Sequence, residues 1–209
     1  MFYVPSQINM RGDAATTAQN ILSNEFLFRT SIVNDLISST IWVFMVLVLY
    51  RLFKHVDERQ AKLLFALVIV QIPAVFFMEA FNITSLMILK GEILKSFELT
   101  QRQDLAMLLL KINDYGVLTL VLFWGLWLFP LAILVYRSRF LPRFLGVWLI
   151  INGFACLAMS FTGLLLPQHV EIVNKIAMPA LLGEVALMLW LLIMGAKPKP
   201  LVDTASADG

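Results

Sequence analysis

The sequence predicts an all-α fold: a polytopic transmembrane bundle of five spans with a short N-terminal surface helix. Three observations predict it. Of 209 residues, 60% are apolar and only 14% charged, against about 45–50% and about 25% in soluble domains. The apolar residues gather into runs of about twenty or more, the length that crosses a ~30 Å hydrocarbon core at ~1.5 Å rise per residue. Most charged residues fall in short segments between those runs. No Pro/Gly/Ser-rich linker or block of like charge divides the chain, so the runs read as one bundle. The expected division is residues 1–31 as an extracytoplasmic segment, 32–195 as the transmembrane bundle, and 196–209 as a disordered cytoplasmic tail.

The elements follow in order. Residues 1–10 lack a charged start followed by a continuous apolar core, so they read as neither signal peptide nor anchor. Asp13 is a good helix N-cap, because its carboxylate can accept the free amide hydrogens of a first turn. Ala14, Ala18, Ile21 and Leu22 then share one face of a short helix expected at the membrane surface. The first span is expected over residues 32–53 and brings Asp35 into the membrane edge. A charged loop precedes a second span over 63–89, where Pro73 removes a backbone donor and predicts a kink repaired by a polar neighbour. Residues 90–104 read as a loop. Thr100 followed by Gln103 has capping-box spacing and predicts the start of a third helix whose unbroken apolar part is 115–135, with Gly116 as a place to bend. A fourth span is expected over 144–166, stopped by Pro167, and a fifth over 176–194.

Between the third and fourth spans lies the basic turn from Tyr136 to Gly146, with Arg137, Arg139 and Arg143. Together with Arg51, Lys54, Arg59 and Lys62, and with Lys197 and Lys199, these residues form the denser positive clusters. The positive-inside bias therefore places this side in the cytoplasm. Five spans then put the N-terminus outside and the C-terminus inside, in a multi-pass protein of the cell (inner) membrane. Arg137, Arg139 and Arg143 are read as a topology anchor or a contact to lipid phosphate.

Charge in a membrane interior is costly, so each intramembrane ionisable residue is a candidate by default. Counted by turns from the basic side, Asp35, Glu79 and Asp114 come to a similar height, joined by Asn34, Asn82, Asn113 and Lys111. Such a layer can bind a cation, relay protons or line a cavity mouth; equally, it can sit at the headgroup boundary and bond helices together. Glu184 lies nearer the middle of its span, on a face with Ala177 and Ala180 that is small enough to meet another helix. It reads either as an acid bonded to a neighbouring helix or as one that carries a proton or binds a substrate. The candidate polar site is thus Asp35, Glu79, Asn82, Asp114 and Glu184. In the fourth span, Gly146, Gly153 and Ser160 recur every seven residues, with Cys156 and Gly163 offset, which predicts close helix contact, with an internal neighbour as the leading expectation and a second copy of the chain as the alternative.

Several chemistries lack their signatures. The sequence holds no His-Glu-x-x-His, Gly-x-Ser-x-Gly or glycine-rich phosphate loop. His55 and His169 are expected on opposite sides of the membrane, and Cys156 is a lone cysteine inside an apolar run. No catalytic residue, metal site or cofactor is assigned. The net charge of +2 comes mostly from loops whose cations membrane insertion explains, so nucleic acid is not an expected partner. The expected partner is the lipid bilayer; a small-molecule or ion ligand and a second copy of the chain stay open.

Four segments carry a resemblance. They are Gly12-Asp13-Ala14-Ala15-Thr16-Thr17-Ala18-Gln19-Asn20-Ile21, then Leu27-Phe28-Arg29, then Asp114-Tyr115-Gly116, then Tyr136-Arg137-Ser138 through Pro142-Arg143-Phe144-Leu145-Gly146. Together they resemble the domain of unknown function 4386 family of prokaryotic integral membrane proteins. The resemblance implies a helical membrane fold and brings no substrate. It also implies a spanning helix ahead of the Gly-Asp-Ala segment, absent from this sequence; the leading expectation is that the start is assigned too far downstream, and the alternative is a five-helix form. A non-enzymatic membrane role is the leading expectation, and a small transporter or ion/proton-coupled carrier the alternative.

Overall fold

The computed structural model describes residues 13–195. The readings of residues 1–10 and of the tail 196–209 fall outside the described residues. Eight α-helices and one 3-10 turn make up the described part, which contains no strand. They are α1 (Ala14–Ser23), α2 (Glu25–Phe53), α3 (Glu58–Ile69), α4 (Gln71–Leu89), α5 (Leu99–Leu126), α6 (Leu128–Ser138), α7 (Arg143–Leu165), the 3-10 turn Pro167–His169, and α8 (Val170–Met194). Helices α3 and α4 continue one another, as do α5 and α6, so five helical segments are long and apolar enough to cross a membrane. The protein is a multi-pass membrane protein with an all-α bundle.

Local chemistry accounts for most boundaries. Asp13 caps α1 as expected, its carboxylate accepting from the Thr16 backbone N–H at 2.7 Å. Thr17, Ala18 and Ile21 of α1 are buried on a cluster containing Leu86, Leu89, Ala106 and Leu110 of α4 and α5. Leu22, expected on that face, is instead 40% exposed. The first span begins at Glu25 rather than residue 32, because the polar stretch Arg29 to Ser31 stays helical through side-chain bonds to backbone carbonyls and an Arg29–Glu25 pair at 2.8 Å. No break falls at 31/32.

The second span breaks at Val70, just ahead of Pro73, and the buried Gln71 amide donates to the Leu67 carbonyl at 2.6 Å. The break falls near Pro73 as expected, but the Gln71 amide bonds the Leu67 carbonyl and not the Ile69 carbonyl that Pro73 leaves without its usual donor. The third span does not start at Thr100: its capping box is Glu98 with Gln101, so α5 starts at Leu99 and shortens the loop. Its interruption falls at Trp127, before Pro130, rather than at Gly116. The fifth span starts at Val170, earlier than residue 176, because the 3-10 turn at Pro167 leads straight into it.

Two apolar cores fill the bundle. One, toward the basic turn, is built around Phe53, Leu64, Leu131, Leu145 and Leu149; the other, toward α1, around Phe28, Ile32, Leu86 and Leu110. The small-residue seam of α7 packs inside the chain. A Cβ on Gly125 of α5 would come within 2.8 Å of the Gly153 carbonyl, and one on Gly146 within 2.9 Å of the Ala132 carbonyl. Ser160 adds a hydrogen bond to the Leu118 carbonyl at 2.9 Å. Outside, Val33, Ile37, Ile41, Phe44 and Val48 form an exposed apolar stripe along α2, a surface suited to lipid and not to water.

The loops at the basic end are built against each other. Arg137 pairs with Asp57, the N-cap of α3, at 2.6 Å, Phe53 stacks on Phe140 at 5.9 Å, and Arg143 lies 5.4 Å from the centre of the Tyr136 ring. Arg139 takes a left-handed conformation, φ 59°, at the end of α6. At the opposite end Lys90 bridges Glu92 at 3.0 Å and Glu25 at 3.1 Å. Those carboxylates, Glu92 first, hold the Lys90 ammonium above its ordinary pKa. Gly91 follows with φ +70°, a conformation that favours glycine where the chain turns out of α4.

Candidate functional site

Helices α7 and α8 meet through small residues. The Trp148 indole of α7 lies over Gly183 of α8, where a Cβ would come within 3.1 Å, and its N–H donates to the Pro179 carbonyl at 3.3 Å. Ala177 and Ala180 are buried on the same face of α8, as their spacing predicts. This close approach carries Asn152, fully buried on α7, to Glu184. The Asn152 amide donates to Glu184 Oε1 at 3.0 Å, and the Cys156 thiol lies 3.6 Å from Asn152 Oδ1 as a weak donor. Glu184 is thus bonded to a neighbouring helix.

Its other side opens on a crevice. A space of about 340 Å³ is lined by Met45 and Leu49 of α2, Trp127 and Leu131 of the third span, and Glu184, Leu187, Met188, Leu191 and Leu192 of α8. Among the described residues, Glu184 is the single ionisable one in that lining. The crevice runs from Glu184, near the middle of α8, toward Leu49 and Leu192 close to the basic ends of their helices. Trp127 stands edge-on to Trp42 of α2 at 5.2 Å, which steadies its indole.

The layer toward α1 is arranged differently. Glu79 is buried, 6% exposed, and accepts from Asn82 one turn along the same helix at 2.9 Å. Asp35 of α2 is half-buried. Asn113 of α5 donates to the Met78 carbonyl at 3.0 Å and docks α5 onto α4 there. Asp114 is exposed, with Lys111 as the charge acting on it. Glu79 and Asn82 therefore come together on α4, Asp114 is exposed on α5, and Glu184 lies in a second place with Asn152. Neither Glu79 nor Asn82 lines the Glu184 crevice. Arg137, Arg139 and Arg143 sit at the basic turn, and among the described residues only Arg137 is in an ion pair.

Sequence reasoning missed Asn152. Its signal was present: a lone amide inside the apolar fourth span, about as far from the basic turn as Glu184 is from the end of α8. Among the described residues, no three of His, Cys, Asp and Glu come together in a way that could hold a metal ion.

Comparison with known proteins gives the family and little beyond it. Residues 1–195 match the family described as Domain of unknown function (DUF4386), and the chain belongs to that family. It is similar to an uncharacterized protein of Archaeoglobus fulgidus, with 33% identity over 104 residues that cover 46% of this chain and 59% of that relative. The match thus spans little more than half of the relative's length. No solved structure matches.

Proposed function

We propose that this member of the DUF4386 family is a non-enzymatic protein of the cell membrane that works as a small proton-coupled carrier centred on Glu184. One observation carries the reading: a membrane-embedded carboxyl is held by one oxygen to Asn152 across a helix interface, while its residue lines a crevice with no countercharge among the described residues. A group so placed exchanges a proton or a cation, since an intramembrane carboxylate without a partner is costly. Asn152 keeps the carboxyl aimed, and the apolar walls keep water from competing for it.

The remaining candidates take supporting roles in this reading. Asp35, Glu79 and Asn82, with Asn113, form a polar layer that registers α2, α4 and α5 against one another. Asp114 and Lys111 meet the headgroup boundary. Arg137, Arg139 and Arg143 hold the basic turn in the cytoplasm, with the N-terminal segment, residues 1–31, outside and residues 196–209 inside. Arg137 spends its charge on Asp57, leaving Arg139 and Arg143 for lipid phosphates.

Reconstitution tests the carrier. In liposomes with a trapped pH-sensitive dye, at least one solute from a panel of alkali cations and organic amines drives a saturable proton flux, which Glu184→Gln abolishes. Fluxes no larger than those of protein-free liposomes would sink the reading. For orientation, a C-terminal green fluorescent protein fusion fluoresces and a C-terminal alkaline phosphatase fusion stays inactive; the reverse pattern inverts the topology.

A further inference from the structure

The geometry points to a lipophilic organic monocation as the occupant of the Glu184 crevice, with its charge against the second carboxylate oxygen and its apolar body between the helices. This deepens the carrier reading and shares its site. Three features define the ligand class. The volume of about 340 Å³ lies within the ~300–1,000 Å³ typical of small-ligand sites. Charge complementarity gives the sign: among the described residues the lining holds one acid and no Lys, Arg or His. Of the two Glu184 oxygens, Oε1 takes the Asn152 amide, and no hydrogen bond to Oε2 is present among the described residues. A single carboxylate matches a single positive charge, whereas a divalent ion needs the six or more oxygen ligands that this apolar lining does not offer.

The walls favour an organic cation over a bare alkali ion. Met45, Met188, Leu187 and Leu191 offer methylene and thioether surface that replaces none of a small ion's hydration shell. They pack well on aryl or alkyl groups, and methionine adapts to varied shapes. Trp127 adds a ring to attract the cation. The cation and a proton compete for one carboxyl group, so binding of the cation displaces the proton and affinity rises with pH. The groups facing Glu184 from α7 are Asn152 and Cys156, and the lining from α2 and the third span contributes no titratable side chain.

Methyltriphenylphosphonium and its uncharged carbon isostere 1,1,1-triphenylethane have nearly the same shape and differ in charge, which makes them a direct probe. Equilibrium dialysis of the full-length protein in nanodiscs, against empty nanodiscs, reads the binding. The phosphonium binds saturably, the hydrocarbon only as it does to empty discs, and Glu184→Gln weakens the phosphonium at least about tenfold. Should Glu184→Gln lose its helical signal, Met188→Trp serves instead: Met188 is 45% exposed at the crevice mouth, and a larger side chain there blocks the phosphonium while leaving the acid intact. Equal binding of the two probes, absence of phosphonium binding, or a folded Met188→Trp protein that binds like wild type overturns the inference. Phosphonium binding without proton flux in liposomes keeps this inference and removes the carrier; proton flux without phosphonium binding does the reverse.

Discussion

Glu79 and Glu184 both lie within spanning helices, and the bundle holds them in opposite ways. Glu79 accepts its hydrogen bond from Asn82, three positions along the same helix, and is almost fully covered. Glu184 accepts from Asn152 on another helix and opens on a crevice. A bond within one helix survives if neighbouring helices move, whereas a bond between helices lasts only while they stay docked. The first arrangement suits a fixed polar layer. The second couples the state of one carboxyl to the packing of α7 on α8, as the proposed carrier requires.

The sharpest way to break this contrast is to remove each amide. Asn152→Leu leaves Glu184 without its partner and costs about 1–3 kcal/mol in unfolding free energy, read by denaturation in detergent. Asn82→Leu also strips a partner from a buried acid, but it disturbs no interface between helices, so its cost falls at the low end of that range, about 1 kcal/mol. Equal losses would erase the distinction. A double-mutant cycle separates the two pairs from their surroundings: the Asn152–Glu184 coupling exceeds that of Asn82–Glu79.

A smaller effect comes from Trp148→Phe, which deletes only the indole donor to Pro179. At 3.3 Å this bond is long, and its loss costs about 0.5–1.5 kcal/mol. It also weakens phosphonium binding at Glu184 and leaves the Glu79 layer unchanged. Smallest is Asp13→Ala, which frays α1 and touches only the end that carries Glu79. The side chain and backbone amide of Thr16 hold the Asp13 carboxyl below its usual range. Its capping contribution is therefore present above the unfolded-chain pKa and lost as pH falls through the lower folded value. Amide exchange at Thr16 and Thr17 reads both effects, and acceleration around Glu184 would break the separation of the two regions.

Much of the architecture was legible because membrane insertion writes itself into local sequence. Five apolar runs, Pro73, Pro142 and Pro167, and the capping carboxylate of Asp13 act over distances of a turn or two, so the spans and most breaks can be read from neighbours along the chain. The start of the third helix went wrong by one capping box, Glu98 with Gln101 in place of Thr100 with Gln103, because several polar residues in that loop can serve. The extra turns at Glu25 and Val170 lie beyond the apolar runs, where length in hydrocarbon no longer constrains a helix.

The sequence by itself determined the fold class, the spans, the family resemblance and the cost attached to Glu184, since burial of apolar length and the penalty for an intramembrane acid depend on composition and position alone. Only the tertiary structure decided that Asn152 is the partner of Glu184, that Glu79 is buried while Asp114 is exposed, and that a crevice opens between α2, the third span and α8. Those outcomes depend on which faces of separate helices meet, and that is set by small contacts such as Trp148 on Gly183 and Gly125 on Gly153. Such contacts join residues far apart along the chain and leave no periodicity for a reader of one helix to find.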